Sequence, residues 1–510
     1  MKYLFIIFTA VTSVFSQLKE MTILHWNDFH ARNQPYEISA KDSIGNEVRY
    51  YVGGTASLYG YLNKYRDDKS LVLNAGDDFQ GTPISSLTRG RSQIEFMNYL
   101  EPHAFVLGNH EFDYGQYSLD SALTLAKFDV LSANVYFSPY SRLFAKPFVI
   151  KEINGIKTGI IGITLPELFE TSLPDNVKDL VMLDTDSVIA AAINELKANN
   201  CDLIIILSHC GIEKDKTFAS MFYKDVDIII GGHSHTALFK PVIQNGVIIV
   251  QAGAHGRYLG ILEISVDTDK DTVLSFTGKL IETVLNDEIY DHNIAAIVDR
   301  RIDELMPDMK LVIGTLESDW RASYSEESNL GQYQADAFRI RTGSDIAFIN
   351  GGGLRKSLLK GDIIVQDIWE INPFGNEIIT FKVSGKILRQ MIKNNILIRT
   401  EKQRKGSNSE ILHTSGLNYS YSSKKAMEGD TDFLITLNLG RAEINDESEY
   451  VIATNNYVTA QFKKFFGEID AVFEFKRTGL IDRDVIIEKI KEDKVINTVL
   501  EKRITDVDKN

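Results

Sequence analysis

Apolar residues in the first half of the chain fall into short continuous runs, each closed by a polar or glycine cluster and followed by a polar segment with helical spacing. From Met21 to about Gly260 the runs read "TILHW", "LVLNAG", "FVLGN", "TGIIGIT", "DLIIILSH", "DIIIGG" and "VIIVQAG". Unbroken Ile, Val and Leu bounded by glycine is the pattern of strands buried on both faces. The intervening "DSVIAAAINELKANN" has the period of a helix, with Asp184 or Asp186 placed to cap it. A layered α/β domain is therefore expected here.

The texture changes after Leu285. "NDEIYDHNIAAIVDRRIDELM", 286–306, carries apolar residues at helical spacing, has no glycine and is followed by Pro307, so it predicts a connecting helix. Beyond it, "SNLGQYQADAFRIRTG" predicts a helix, "DIAFINGGGLRKSL" a strand and glycine turn, and "EIITFKVSGKILRQMIKNN" a strand and helix. A polar surface loop is expected around "EKQRKGSNSE", and "DVIIEKIKEDKVINTVLEKRI" is expected to be helical. The resulting division is 1–16, 20–285, a linker at 286–310, and 311–510.

Composition narrows the function classes. With 510 residues the chain exceeds one ordinary core, and 44% hydrophobic with 25% charged residues is the balance of a folded globular protein. Seventy acidic against 55 basic residues give a net charge of -15, which argues against nucleic acid or an anionic membrane as partner. Met1–Ser16, "MKYLFIIFTAVTSVFS", has one Lys, an apolar stretch too short to span a bilayer and small residues at its end, so a signal peptide and export to a periplasmic or extracellular space are expected. No Cys near that point and the polar "KRITDVDKN" at the end argue against a membrane anchor. Cys201 and Cys210 flank an extended run that holds them about 30 Å apart, too far to pair.

The chemistry gathers at the ends of the runs. "ILHWNDFH" ends in Asp28 and His30, "LVLNAGDDFQGT" in Asp77, and "FVLGNHEFD" in Asn109, His110 and Asp113. "IIILSHCG" ends in His209 and "IIIGGHSHT" in His233 and His235. Ligands of open α/β sheets sit at the carboxyl ends of strands, so five runs aim imidazole, carboxylate and amide groups at one rim. Imidazole with carboxylate and no thiolate suits Zn, Mn, Fe or Co, and there are too many donors for one tetrahedral ion. Two divalent ions are the arrangement that serves attack on phosphorus. Asn27 and Glu111 read as local structure, and His255 follows a strand that ends near the same rim.

The strings "ILHWNDFHAR", "NAGDDFQGT", "GNHEFDYG", "LSHCG", "GGHSHT", "NGGGLR" and "INPFGNE", in that order from about Thr22 to Glu492, resemble the secreted 5'-nucleotidase family of calcineurin-like metallophosphatases. The resemblance implies an α/β/β/α sandwich joined by a helix to an α/β substrate-binding domain that swings to deliver substrate. It implies that Asp28, His30, Asp77 and His235 hold one metal and Asp77, Asn109, His209 and His233 the other. His235 stands where family members vary among Gln, Asn and His. His110 is implied as the catalytic histidine, and Asp113, three residues on, suits a carboxylate that orients it.

The implied activity is release of phosphate from 5'-nucleotides. Related scaffolds cleave 2',3'-cyclic nucleotides, UDP-sugars or sulfur-linked groups, and a binding protein with structural metals is the reading from another class. In the family the C-terminal domain stacks the base between two aromatic rings while arginines and an asparagine take the phosphate and ribose; here the resemblance implies Asn350 and Arg355 of "INGGGLR" for the latter and Phe374 of "NPFGNE" as the first ring. Two departures stand out. The Gly-Gly-Asp-Gly-aromatic string that supplies the second ring is absent from "TNNYVTAQFKKFFGE", leaving Phe462, Phe465 or Phe466 as candidates. Upstream of "SNLG", where family members often place arginines, only Arg321 is present.

Overall fold

The computed structural model describes residues 18–41, 44–305 and 307–509. The expected signal peptide, Met1–Ser16, lies outside the described residues. Among these residues no helix is long and apolar enough to cross a membrane.

The buried runs of the N-terminal half form two six-stranded sheets. The first has the order Thr272–Glu282, Tyr258–Asp267, Leu18–Trp26, Ser70–Asn74, Ala104–Val106 and Asp129–Leu131. In the second the order is Val242–Gln244, Val247–Val250, Ile228–Ile230, Leu203–Ser208, Ile156–Ile163 and Phe148–Ile153. Ile23, Leu71, Leu73 and Val106 of one sheet pack on Ile160, Ile205, Leu207 and Ile228 of the other. Each outer face is covered by helices, through Leu58, Leu62, Ile94 and Met97 on one side and Ile189, Ile193, Leu196 and Phe218 on the other. The layering is the expected α/β/β/α, and it explains the unbroken apolar runs, since a strand between a helix and a second sheet has no wet face.

The C-terminal half is built on a five-stranded sheet, Leu412–Ser415, Ile346–Asn350, Glu449–Asn455, Glu377–Ser384 and Lys476–Ile481. Helices Asn329–Thr342 and Asp482–Asp493 cover one face, and Gly385–Arg404 the other. The connecting helix is shorter than expected, His292–Leu305, because Asp291 caps it by accepting the Asn293 and Ile294 amides at 3.0 and 2.9 Å. Its stripe of Ile294, Val298 and Ile302 seats on Ala56, Ile84 and Phe96 of the N-terminal half. The last helix also stops early, at Asp493. Lys494 turns at φ 62, and Val495–Ile496 pairs with the strand Val312–Leu316. Asp184, not Asp186, caps the helix Thr185–Ala198. Cys201 and Cys210 are buried free thiols, as expected.

Candidate active site

Parallel pairing of Leu18–Trp26, Ser70–Asn74 and Ala104–Val106 carries Asp28, Asp77 and Asn109 to one rim. Parallel pairing of Leu203–Ser208 with Ile228–Ile230 carries His209, His233 and His235 to the facing rim of the second sheet. Four of these side chains, and His30 beside them, leave the strands through left-handed backbone, with φ of 51 at Asp28, 52 at His30, 57 at Asp77, 73 at His233 and 53 at His235. Asp and His tolerate that conformation better than most residues, and its clustering at one rim marks a functional site.

Two groups of donors result. Asp28, His30 and His235 form one, and Asp77, His209 and His233 the other, each with its donor atoms within 4.8 Å of one another. In the first group His235 Nε2 lies 3.2 Å from Asp28 Oδ1 and 3.0 Å from His30 Nε2. His30 Nδ1 is 3.2 Å from the Gln80 carbonyl and donates to it, which leaves the Nε2 lone pair for a cation. Donor atoms that share one ion at about 2.1 Å sit roughly 3.0–3.4 Å apart, so the spacing fits.

In the second group His209 Nδ1 donates to the Ala75 carbonyl at 2.6 Å, and Nε2 lies 2.9 Å from Asp77 Oδ2. That Nε2 is buried against the Asp77 carboxylate without hydrogen-bond geometry, a donor pair that a divalent ion would satisfy. Asn109 Oδ1 lies 3.0 Å from His233 Nδ1.

Glycines make the convergence possible. A Cβ on Gly108 would meet Asp77 Oδ1 at 2.2 Å, and one on Gly232 would meet the Ala75 carbonyl at 2.4 Å and His209 Nδ1 at 2.8 Å. Glu111 holds the loops in register. Its buried carboxylate accepts the amides of Asp77, Asp78, Phe79 and Gly108 at 2.7–3.1 Å. Asn27 accepts the Ala252 amide and donates to Asp28 Oδ2. Both residues act as local structure, as the sequence suggested.

Burial works against charge on Asp28 and Asp77, but the surrounding histidines outweigh it and hold both below the ordinary carboxylate range. Burial lowers His30 and His233, which favours the neutral imidazole, whereas at His209 burial is outweighed by the adjacent Asp77 and Asp28 carboxylates, which raise it to about 10. For His110 burial is again opposed, here by Asp113 and Asp77, and the net shift is upward. His110 Nδ1 donates to Asp113 Oδ2 at 2.6 Å.

A cavity of about 630 Å³ opens over both groups and runs between the two halves of the chain. Asp77, Asn109, His110, Asp113, His233, His235 and His255 line it from the N-terminal half, and Asn350, Arg355 and Phe374 from the other. Arg355 Nη2 reaches within 3.5 Å of His30 Nε2, and the Phe374 ring lies 5.8 Å from that of His110. Asn350 is tied to Glu410 and Asn455, each at 2.8 Å.

The three phenylalanines offered as a second ring do not reach this cavity. Phe465 and Phe466 are core, and Phe462 packs 4.6 Å from Phe473 and 4.9 Å from Phe466. Tyr457, in the same string, lines the cavity, as do Tyr324, Glu410 and Lys464. Tyr457 follows the strand Glu449–Asn455, so the strand-end argument that found the histidines also points to it. Arg321 is not among the lining residues.

Fold and site together define a two-domain, metal-dependent phosphoric ester hydrolase. Residues 21–237 match the calcineurin-like phosphoesterase family and residues 312–468 the 5'-nucleotidase C-terminal domain. Similar proteins include a 5'-nucleotidase-related protein of Glossina morsitans morsitans, 30% identical over 82% of this chain and 81% of its own. A snake venom 5'-nucleotidase of Crotalus adamanteus is 31% identical over 81% and 76%. Among solved structures, a 5'-nucleotidase precursor from Thermus thermophilus superposes with a TM-score of 0.84 at 28% identity, covering 96% of this chain and all of that one. A sulfate thiohydrolase, with a TM-score of 0.79 at 15% identity, shares the fold. The chain belongs to the 5'-nucleotidase family of metallophosphoesterases.

Proposed function

We propose that this protein is an exported dinuclear-metal phosphohydrolase that releases phosphate from 5'-nucleotides, with a metallophosphatase domain at 20–285, a linker at 286–310 and a substrate domain at 311–510. Asp28, His30, Asp77 and His235 would hold one divalent ion and Asp77, Asn109, His209 and His233 the other. Such a pair supplies a nucleophile at neutral pH and offsets charge on the phosphoryl oxygens.

The observation that carries the reading is the His110–Asp113 pair beside both donor groups, in a cavity shared with Arg355 and Phe374. Asp113 accepts the Nδ1 proton and fixes the imidazole's orientation, so a protonated Nε2 can meet the charge that builds on the phosphoryl or leaving-group oxygen. Arg355 adds a guanidinium for the phosphate. Phe374 and Tyr457 form two walls for the base, and Asn350 offers an amide to the nucleoside. Export rests on the composition of Met1–Ser16 and accords with a snake venom relative.

The test is hydrolysis of AMP, read as phosphate release, and of UDP-glucose, 2',3'-cyclic AMP and bis-p-nitrophenyl phosphate, read as UMP, AMP monoester and p-nitrophenol, each with Mn or Zn and with chelator. AMP is the expected substrate, and chelator abolishes its turnover. Turnover of the diesters alone overturns the assignment.

A further inference from the structure

The nucleoside end of the cavity contains an ion pair that phosphate chemistry does not call for. Glu410, buried, accepts the Asn350 side-chain amide at 2.8 Å and the Gly352 amide at 2.9 Å through Oε1. Its Oε2 lies 3.1 Å from Lys464 Nζ. Lys464 in turn donates to the Tyr457 hydroxyl at 2.9 Å, with Nζ 5.2 Å from the centre of that ring and 5.3 Å from that of Phe465. The Tyr457 hydroxyl donates across to the Glu170 carbonyl, 3.4 Å away on the N-terminal half. The chain of contacts runs from Asn455 through Asn350, Glu410 and Lys464 to Tyr457.

An isolated buried charge is costly, and a Lys–Glu pair is retained where its geometry specifies something. Here it fixes the tilt of an aromatic ring. Tyr457 has two free torsions, and its hydroxyl accepts from an ammonium that is itself anchored by a carboxylate with no freedom to turn. The ammonium on the hydroxyl also draws electron density from the ring, which favours stacking with an electron-rich base.

We propose that the Glu410–Lys464 pair is a positioning device for Tyr457, setting the width of a slot between Tyr457 and Phe374 that takes a nucleobase. This deepens the 5'-nucleotidase reading and rests on it. Lys464 does not act at phosphorus and works through Tyr457, so its contribution is confined to the base-bearing part of the substrate, whereas Glu410 also holds Asn350 and Gly352.

The experiment compares AMP with ribose 5-phosphate, which lacks the base, on the metal-replete enzyme carrying Lys464→Met or Lys464→Arg. Lys464→Met keeps the stem's length and volume but removes the ammonium. It raises KM for AMP by about tenfold with kcat held within about twofold, and shifts KM for ribose 5-phosphate by less than about twofold. Lys464→Arg restores most of the AMP affinity. Equal losses on both substrates, or no loss on either, overturn the inference while leaving the nucleotidase reading intact. A wild-type enzyme that hydrolyses no 5'-nucleotide overturns both.

Discussion

Arg32 Nη1 and Glu370 Oε2, more than three hundred residues apart in sequence, meet at 2.9 Å across the two halves of the chain, with side chains only 8% and 6% exposed. Lys356 lies 2.8 Å from the same carboxylate oxygen and 2.8 Å from Asp367. A buried pair is fragile when one partner goes, because the other is left charged in a dry place. Arg32→Met is expected to cost about 3 kcal/mol, the lower part of the range for such losses, since Lys356 remains. Denaturant unfolding of the two proteins checks this, and equal midpoints exclude it.

The same carboxylate gives a pH dependence. Burial pushes Glu370 up, but Lys356 and Arg32 outweigh it and bring its pKa from 4.5 down to about 2. A depressed carboxylate stabilises the folded state above its unfolded pKa and loses that contribution as pH falls through its folded one. The stability gap between wild type and Glu370→Gln is therefore expected to be constant above about pH 5 and to close between about 4.5 and 2, a span worth about 3 kcal/mol. Thermal melts across that range measure it.

His110→Ala is expected to lower kcat by about 10²- to 10⁴-fold with metal content unchanged, the range for loss of a positioned proton donor. Asp113→Asn, which leaves the imidazole in place but removes the carboxylate 2.6 Å away, gives a smaller loss in the same parameter. Steady-state kinetics paired with metal analysis separates these from a change in loading.

Gly108→Ala tests how tightly the two donor groups are packed. The added methyl lands 2.2 Å from Asp77 Oδ1 and 2.8 Å from His209 Nε2. One of them must move, so bound metal and kcat/KM fall together, and stability drops by about 1–3 kcal/mol. Asp77→Ala also loses metal, but without the overpacking. Retention of full activity by the Gly108 variant would sink the close-approach argument.

Tyr457→Ala and Phe374→Ala each raise KM for AMP about tenfold, the worth of one stacking face. Phe462→Leu leaves KM alone and costs about 1 kcal/mol of stability, because its ring sits among Phe466, Phe473 and Phe475. The reverse ranking restores Phe462 as the second wall.

The contrast between those rings shows what the sequence could carry. Strands buried on both faces announce themselves as unbroken apolar runs, so the rim bearing Asp28, Asp77, Asn109, His209, His233 and His235 was legible from order alone. Phe462 and Tyr457 lie five residues apart in one string, and composition does not say which faces a cavity formed with distant segments at Asn350 and Phe374. The strand Thr272–Glu282 gives no such signal for a related reason: it is an edge strand without a fully buried position, exposed on both faces from Leu274 to Thr277, so nothing requires a continuous apolar run. The early end of the last helix depends on Lys494 and on a pairing with Val312–Leu316 that no local pattern encodes.

Glu111 draws four amides from two separate loops onto one carboxylate, so the frame that carries Asp77 and Asn109 is rigid through contacts that owe nothing to a cation. Stripping and reloading then become an exchange at a finished socket, without refolding. Turnover lost to a chelator is therefore expected to return on readdition of the divalent ion at the pace of binding, with no slow phase of loop ordering.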